Sequence, residues 1–305
     1  MQRLAKPYEQ HSQDSSLNET IEGLNLQPKA IVIDGTLGGG GHSIFICEKY
    51  PNIRIIALDQ DKSAFLKAQS KFKSSKYKIS FVNENFRNID KVLQKEKVEK
   101  VDGIILDLGL SSDQLENSGR GFSFMKSEPL LMTMKENPSS EDITALDVVN
   151  TWEEKNLADI IYGYGEEQFA RRIARGIVEA RKKEEIKTTF DLVKIIENSV
   201  PNFYRKGRIN CATKTFQALR IAVNDELGAL GEGLTKGFDA LKTGGRMAVI
   251  SFHSLEDRIV KRFYKEKQKE RKGNLINKKP ITPSKEEIIK NNRSRSAKLR
   301  IISRL

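Results

Sequence analysis

Apolar residues in this chain come in short blocks set among longer amphipathic stretches. The blocks "AIVID" ending at Asp34, "IRIIALD" ending at Asp59, "KISFV" at Lys78 to Val82, "VDGIILD" ending at Asp107 and "RMAVISF" at Arg246 to Phe252 are rich in β-branched residues. Glycines or acids punctuate them, and their length predicts buried strands rather than helices. Helical periodicity is expected from about His42 and over Lys62 to Phe72, and a last short strand is expected at Leu299 to Ile302. Strands alternating with helices at this spacing predict βαβ units and a mostly parallel sheet.

The rhythm breaks after the fourth strand. From Leu115 to Asn210 the sequence is first turn-rich and then helical, notably in "EEKNLADIIYGYGEEQFARRIARGIVEARKK" and "TTFDLVKIIENSV". One amphipathic helix is then expected from Thr213 to about Leu241, followed by a turn at Gly244-Gly245. After the fifth strand, "SLEDRIVKRFYKEKQKERK" predicts a helix with acids in its first turn and bases later, the order the helix dipole favours. Lys272 to Asn292 reads as loop. The simplest organisation is one α/β domain, residues 1–114 and 211–305, interrupted by a helical insertion at 115–210, which has the size of a small domain.

Composition narrows the class. In 305 residues there are 53 Lys+Arg against 41 Asp+Glu, a net charge of +12, and 38% of residues are hydrophobic. The chain is long enough to bury a core, which argues against wholesale disorder. No window approaches the ~18 apolar residues of a membrane span, and the polar start from Met1 to Ser16 lacks the apolar core of a signal peptide, so a soluble, unexported protein without membrane partners is expected. Two cysteines, Cys47 and Cys211, are too few for a disulfide framework or a thiolate zinc site, and no metal is expected. From Arg258 to Leu305 there are 17 Lys+Arg against 4 Asp+Glu, so the rest of the chain is nearly neutral. A local surplus of that size suits a polyanionic partner, most often nucleic acid; a solubilising charged tail is the plainer alternative.

Four features fall at predicted strand ends, where ligands bind in doubly wound sheets. Gly35 and Gly38 to Gly41 let the backbone approach a ligand closely, yet their spacing fits neither the dinucleotide G-x-G-x-x-G nor a P-loop, since no Lys follows. Asp59 stands 19 residues after Gly40, where a carboxylate can accept hydrogen bonds from ribose hydroxyls. Asp107 opens "DLGLSSDQL"; it either faces the cleft or caps the next turn through Ser111 or Ser112. His253 lies between Ser251 and Ser254 without a nucleophile elbow, and capping by Ser254 with Asp257 competes with catalysis there. A glycine turn, a ribose acid and a strand-end Asp, without a phosphate-binding Lys, describe an adenosine cofactor lacking a phosphate chain. S-adenosylmethionine fits that description.

The collinear motifs "DGTLGGGGHS", "ALDQD", "FRNI", "DGIILDLGLSSDQL", "RGFSFM", "YGEEQFARRIARGIV", "TKTFQALRIAVNDEL", "GGRMAVISFHSLEDRIVKRF" and "RSRSAKLR" resemble the bacterial 16S rRNA cytosine-N(4)-methyltransferase family of the MraW type, from about Leu17 to Arg300. The resemblance implies a class I, Rossmann-like methyltransferase sheet with an inserted helical domain for substrate recognition, S-adenosylmethionine as methyl donor, and a cytosine amine in the ribosomal decoding centre as acceptor. It implies cofactor contacts at Gly40, Gly41, His42, Asp59, Phe86, Asp107 and Gln114; the residues themselves had pointed only to the turn, Asp59 and Asp107.

The chain departs from the family pattern at three places. Where P-L-D-M-R-M is usual it has Pro129-Leu130-Leu131-Met132-Thr133-Met134; where H-P-A-T-R-T-F is usual it has Asn210-Cys211-Ala212-Thr213-Lys214-Thr215-Phe216; where V-L-L is usual it has Ser15-Ser16-Leu17. A cytosine amine is a poor nucleophile because its lone pair is delocalised, so the site must orient it and accept its proton. Asp107, or a carbonyl from Leu108 to Ser111, is the expected acceptor, with His253 as a second candidate for orienting the base. The expected partner is 16S rRNA in the small ribosomal subunit, bound by the basic tail and by Arg171 to Arg208 of the insertion, in the cytoplasm and without an obligate protein partner. Two rivals remain open: a homologue that binds RNA without turnover, and a methyltransferase acting on another nucleic acid or on protein.

Overall fold

The structure is a computed structural model that describes residues 17–72, 77–136 and 138–305; the polar start at Met1 to Ser16 and the Ser15-Ser16 departure lie outside the described residues. The chain divides into two compact units, one formed by the residues up to Gly109 together with Leu227–Leu305, the other by Leu110–Glu226.

In chain order the first unit opens with α1 (Leu17–Leu24), β1 (Ile31–Asp34), α2 (Gly41–Lys49), β2 (Arg54–Asp59), α3 (Lys62–Phe72), β3 (Lys78–Asn83), a 3₁₀ turn at Phe86–Asn88, α4 (Ile89–Lys95) and β4 (Val101–Asp107). The second unit holds α5 (Ser112–Asn117), α6 (Ala145–Thr151), α7 (Glu154–Gly163), α8 (Ala170–Arg181), α9 (Thr189–Ser199), α10 (Asn202–Arg205) and α11 (Thr213–Asn224). The first unit resumes with α12 (Glu226–Ala240), β5 (Leu241–Ser251), α13 (Ser254–Lys269), β6 (Gly273–Leu275), α14 (Lys285–Lys290) and β7 (Lys298–Arg304).

The seven strands form one sheet in the order β3-β2-β1-β4-β5-β7-β6. Strands β1 to β5 pair in parallel, with Ile33 opposite Ile56 and Ile104. Strand β7 runs antiparallel to both neighbours. Sequence order reverses between β1 and β4, which makes their C-terminal ends the switch point where this class of sheet binds ligands. The parallel α/β class expected from the residues, and the Rossmann-like sheet that the resemblance implies, are thereby observed.

Period-2 alternation sends neighbouring side chains to opposite faces, and both faces are covered. Val32, Ile55, Ala57, Ile105, Ala248 and Ile250 pack with Ile21 and Leu24 of α1, Ile44 and Phe45 of α2 and Phe72 of α3. Ile33, Ile56, Leu58, Ile104, Leu106 and Val249 pack with Val92 of α4, Leu230 and Leu234 of α12 and Tyr264 of α13. Each fully buried Leu or Ile contributes roughly 1.5–3 kcal/mol, so strands and covering helices together carry this unit's apolar stabilisation. The second unit has its own core, including Leu130, Val148, Leu157, Ile161, Ile173, Ile177, Leu192, Ile196 and Leu219.

Four sequence expectations change. The single helix from Thr213 to Leu241 is two helices, because Asp225 takes a left-handed conformation (φ 46°) and ends α11. The second boundary between units consequently falls at Glu226, sixteen residues beyond the expected Asn210, and the first falls at Gly109 rather than at residue 114. Gly244-Gly245 is no free turn but an irregularity inside β5, where pairing jumps from Val101 with Leu241 to Gly103 with Arg246 and Gly244 has φ 82°. The expected loop from Lys272 to Asn292 contains β6 and α14. Two arginines of the basic C-terminal segment are structural, while most of its other lysines and arginines are exposed: Arg304 donates to the carbonyls of Phe238, Asp239 and Leu241, and Arg300 makes a bidentate pair with Asp257 at 2.7 and 3.2 Å. Arg258, Lys261, Arg262 and Lys265 of α13 remain exposed.

Candidate active site

The loop after β1 is fixed on three sides. The Gly35 N–H donates to the Ile105 carbonyl of β4 at 2.9 Å, the Leu37 N–H donates to the Leu58 carbonyl of β2 at 2.9 Å, and the Gly38 N–H donates to Asp59 Oδ2 at 2.8 Å. Gly38 and Gly40 have φ of 48° and 78°, conformations in which a side chain is strained. Gly35 is required for a different reason: a Cβ there would come within 2.5 Å of the Leu106 side chain and 3.2 Å of the Phe86 Cβ. Below the loop, buried Asp34 accepts from the Ser43 hydroxyl at 2.6 Å, which joins β1 to α2.

Asp59 ends β2 as expected. Its Oδ1 accepts from the Asp61 N–H and its Oδ2 from the Gly38 N–H, each at 2.8 Å. Burial pushes its carboxyl up to about 6, against the pull of those two amides, and the nearby carboxylates of Asp61 and Asp34 add to the rise. A partly desolvated carboxylate with unused lone pairs suits two hydroxyl donors.

Asp107 ends β4 next to the switch point. Its N–H donates to Thr36 Oγ1 at 2.7 Å, and its Oδ2 lies 4.0 Å from Nδ1 of His42, a buried residue in the first turn of α2. The cap of α5 is Ser111, whose hydroxyl accepts from the Gln114 N–H while Gln114 Oε1 accepts from the Ser111 N–H. The structure thus assembles Gly35, Gly40, Gly41, His42, Asp59 and Asp107 in one unit, while Gln114 belongs to the other. Phe86 also lies in the first unit, its ring against Gly233 of α12, where a Cβ would come within 2.5 Å of it.

His253 is itself the N-cap of α13. Its Nδ1 accepts from the Glu256 N–H at 3.5 Å, and Glu256 Oε2 accepts from the His253 and Phe252 N–H groups at 3.3 and 2.9 Å. The cap expected at Ser254 with Asp257 is therefore displaced by one residue, and Asp257 instead holds Arg300. Two structural parts of the site escaped the sequence reading, Thr36 and Asp34. The only signal for them was the "DGT" run after β1.

The altered positions from Leu131 to Thr133 and at Asn210 lie within the helical unit, and nothing in the structure explains the changes at Leu131 and Thr133. The Leu131 carbonyl accepts from the Ala145 N–H, the Thr133 carbonyl accepts from Arg120, and Met132, at φ 50°, has its carbonyl bonded by Asn224. Asn210 Oδ1 accepts from the Ala212 N–H at the start of α11. Both cysteines are buried free thiols, and burial raises both, that of Cys47 to about 12. No helix among the described residues is long and apolar enough to cross a membrane.

The chain is 47% identical to the "Ribosomal RNA small subunit methyltransferase H" of Persephonella marina over 274 residues, covering 90% of this chain and 92% of the relative. It is 45% identical to the protein of that name from Clostridium botulinum, covering 95% and 97%. A solved rRNA methylase from Streptococcus thermophilus aligns over 95% of this chain and 94% of its own, with 12% identity and a TM-score of 0.45. The model of the MraW methylase family matches residues 10–305. With that match along the chain and a glycine loop tied to acids at the ends of β2 and β4, the protein belongs to the MraW methylase family.

Proposed function

We propose that this protein transfers a methyl group from S-adenosylmethionine to the 4-amino group of a cytosine in the 16S rRNA of the small ribosomal subunit, at the decoding centre and in the cytoplasm. The observation that carries the reading is the Gly38–Asp59 hydrogen bond, which holds the glycine loop against a strand-end carboxylate beside the switch point. The relatives' names supply the substrate class.

Asp59 would accept from the ribose hydroxyls, Gly40, Gly41 and His42 would line the backbone approach of the cofactor, and Phe86 would bound the adenine side. When bound, the cofactor supplies a sulfonium methyl already activated for transfer. The remaining work falls to the chain's own residues. Asp107, held by Thr36, would accept a hydrogen bond from the cytosine amine, which localises the nitrogen lone pair and provides a place for the departing proton. His253 would orient the base from the N-terminus of α13. Alignment of the reacting atoms at about 3 Å supplies much of the rate in a displacement of this kind.

RNA affinity would come from exposed lysines and arginines, and would fall steeply with salt. Incubation of small ribosomal subunits lacking the modification with the protein and tritiated S-adenosylmethionine tests the proposal. Label confined to one cytosine of the RNA is expected; binding without label would establish the non-catalytic reading instead, and label on protein would overturn the substrate.

A further inference from the structure

The helical unit carries a groove of about 510 Å³ that the proposed methyl transfer does not use; it is lined by Asp159 and Tyr162 of α7 and by Gln168, Phe169, Arg171 and Arg172 at the start of α8. That volume lies within the range of sites that take a small organic ligand. Large rings stand in solvent here: Tyr162 of the lining is 69% exposed, and Phe203, outside the lining but edge-on to Phe169 at 6.4 Å, is 74% exposed.

The aromatic floor is fixed in place. Phe169 packs edge-on against Tyr204 with centroids 4.8 Å apart. Fully buried Glu167 holds both partners, its Oε2 accepting from the Tyr204 hydroxyl at 2.6 Å and its Oε1 from the Phe169 N–H at 2.8 Å. The Arg172 guanidinium lies 5.9 Å from the Phe169 ring centroid. Arg171 and Arg172 are exposed and enter no ion pair among the described residues, and Asp159 is the one acid lining the groove. From Arg171 to Arg208 there are 11 Lys+Arg against 5 Asp+Glu.

Rigid rings with open faces, set among guanidinium groups, match the two recognition elements of single-stranded nucleic acid, stacking for bases and cations for phosphates. A protein partner fits less well, since the centres of protein interfaces are depleted of charge. We propose that this groove holds one unpaired nucleotide of the RNA, other than the cytosine that is methylated: its base stacks on Tyr162 and the Phe169–Phe203 pair, and Arg171 and Arg172 take the flanking phosphates. The inference rests on the reading of RNA as the substrate.

The test uses the full chain and an oligouridine of about 12 nucleotides carrying a single 2-aminopurine, whose fluorescence is quenched by stacking. The unmodified protein is expected to quench the probe and to bind it more tightly than a duplex of equal length. Tyr162→Ala is expected to weaken binding about tenfold and restore fluorescence, Tyr162→Phe to retain both, and Arg171→Gln with Arg172→Gln to weaken binding and flatten its salt dependence. Far-UV circular dichroism and thermal unfolding are expected to be the same in all variants, which shows that they fold. Unchanged probe binding and quenching in Tyr162→Ala would overturn the stacking site while leaving RNA as substrate intact. Failure of the unmodified protein to bind the probe would overturn both, and a change of oligomeric state in Tyr162→Ala would make the groove a protein interface instead.

Discussion

Gly38 and Asp59, twenty-one residues apart in sequence, are joined by a 2.8 Å hydrogen bond from the loop amide to the strand-end carboxylate. The bond makes the shape of the glycine loop and the protonation of the proposed ribose acid parts of one arrangement. Because burial pushes Asp59 up to about 6, cofactor affinity is expected to respond to pH in a range where ordinary carboxylates do not. Ribose hydroxyls donate to the ionised form, so binding is strongest above pH 6 and weakens as pH falls through it, by up to about tenfold per unit below. Calorimetric titration with S-adenosylmethionine from pH 5 to pH 8 checks this. Asp59→Asn is expected to bind weakly and with little pH dependence.

Gly35 is required by space rather than by torsion. Gly35→Ala drives a Cβ into the Leu106 side chain at the β1–β4 junction, and overpacking of this kind costs about 1–3 kcal/mol. Gly244→Ala meets nothing within 4 Å and is strained only by its φ of 82°, at about 1 kcal/mol. Urea denaturation of the two variants is expected to rank them in that order, with loss of cofactor affinity in Gly35→Ala alone.

The strand ends were legible because three of the parallel strands, β1, β2 and β4, are short, rich in apolar residues and finish on Asp; Asp59 and Asp107 both stand where the pattern put them. What the pattern could not show was backbone geometry. Asp225 breaks one amphipathic stretch into two helices although its hydrophobic spacing runs on, since a left-handed residue leaves no mark in periodicity. The cap of α13 was misplaced by one residue because His253 and Ser254 both stand before an acid three positions on, Glu256 and Asp257, and only the structure shows which side chain turns back. The basic tail was legible as charge but not as a strand partner: Arg300 is consumed by Asp257, a contact set by tertiary pairing across 43 residues.

The Arg300–Asp257 pair ties β7 to α13, and hence to the turn that carries His253. Burial alone would raise the Asp257 carboxyl, but Arg300 beside it, with Lys298, holds it below the usual carboxylate range. A lowered folded value means stability that is present above the unfolded carboxylate range, near pH 4, and is lost as pH falls through the folded value. Arg300→Leu leaves the partly buried Asp257 carboxylate with Lys298 alone and is expected to cost about 1–3 kcal/mol at pH 7, with much of the loss recovered in the double variant with Asp257→Leu. Chemical denaturation of the single and double variants measures both.

Asp107→Asn separates binding from chemistry. The amide keeps the shape of the side chain and leaves the backbone hydrogen bond to Thr36 in place, but it is a weaker acceptor for the amine and cannot take its proton. Methyl transfer is expected to fall by about 100-fold or more while cofactor affinity changes by no more than a few-fold. Equal rates for the variant and the unmodified protein would remove Asp107 from the mechanism.

The central claim is that the glycine loop, Asp59 and Asp107 serve methylation of an exocyclic cytosine amine. Its most direct measurement is nucleoside mass spectrometry of small-subunit RNA after reaction with the purified protein and isotopically labelled S-adenosylmethionine. The account expects one labelled nucleoside, cytidine bearing the methyl group on N4; label on a ring carbon, on ribose, on another base, or on no RNA at all would contradict it.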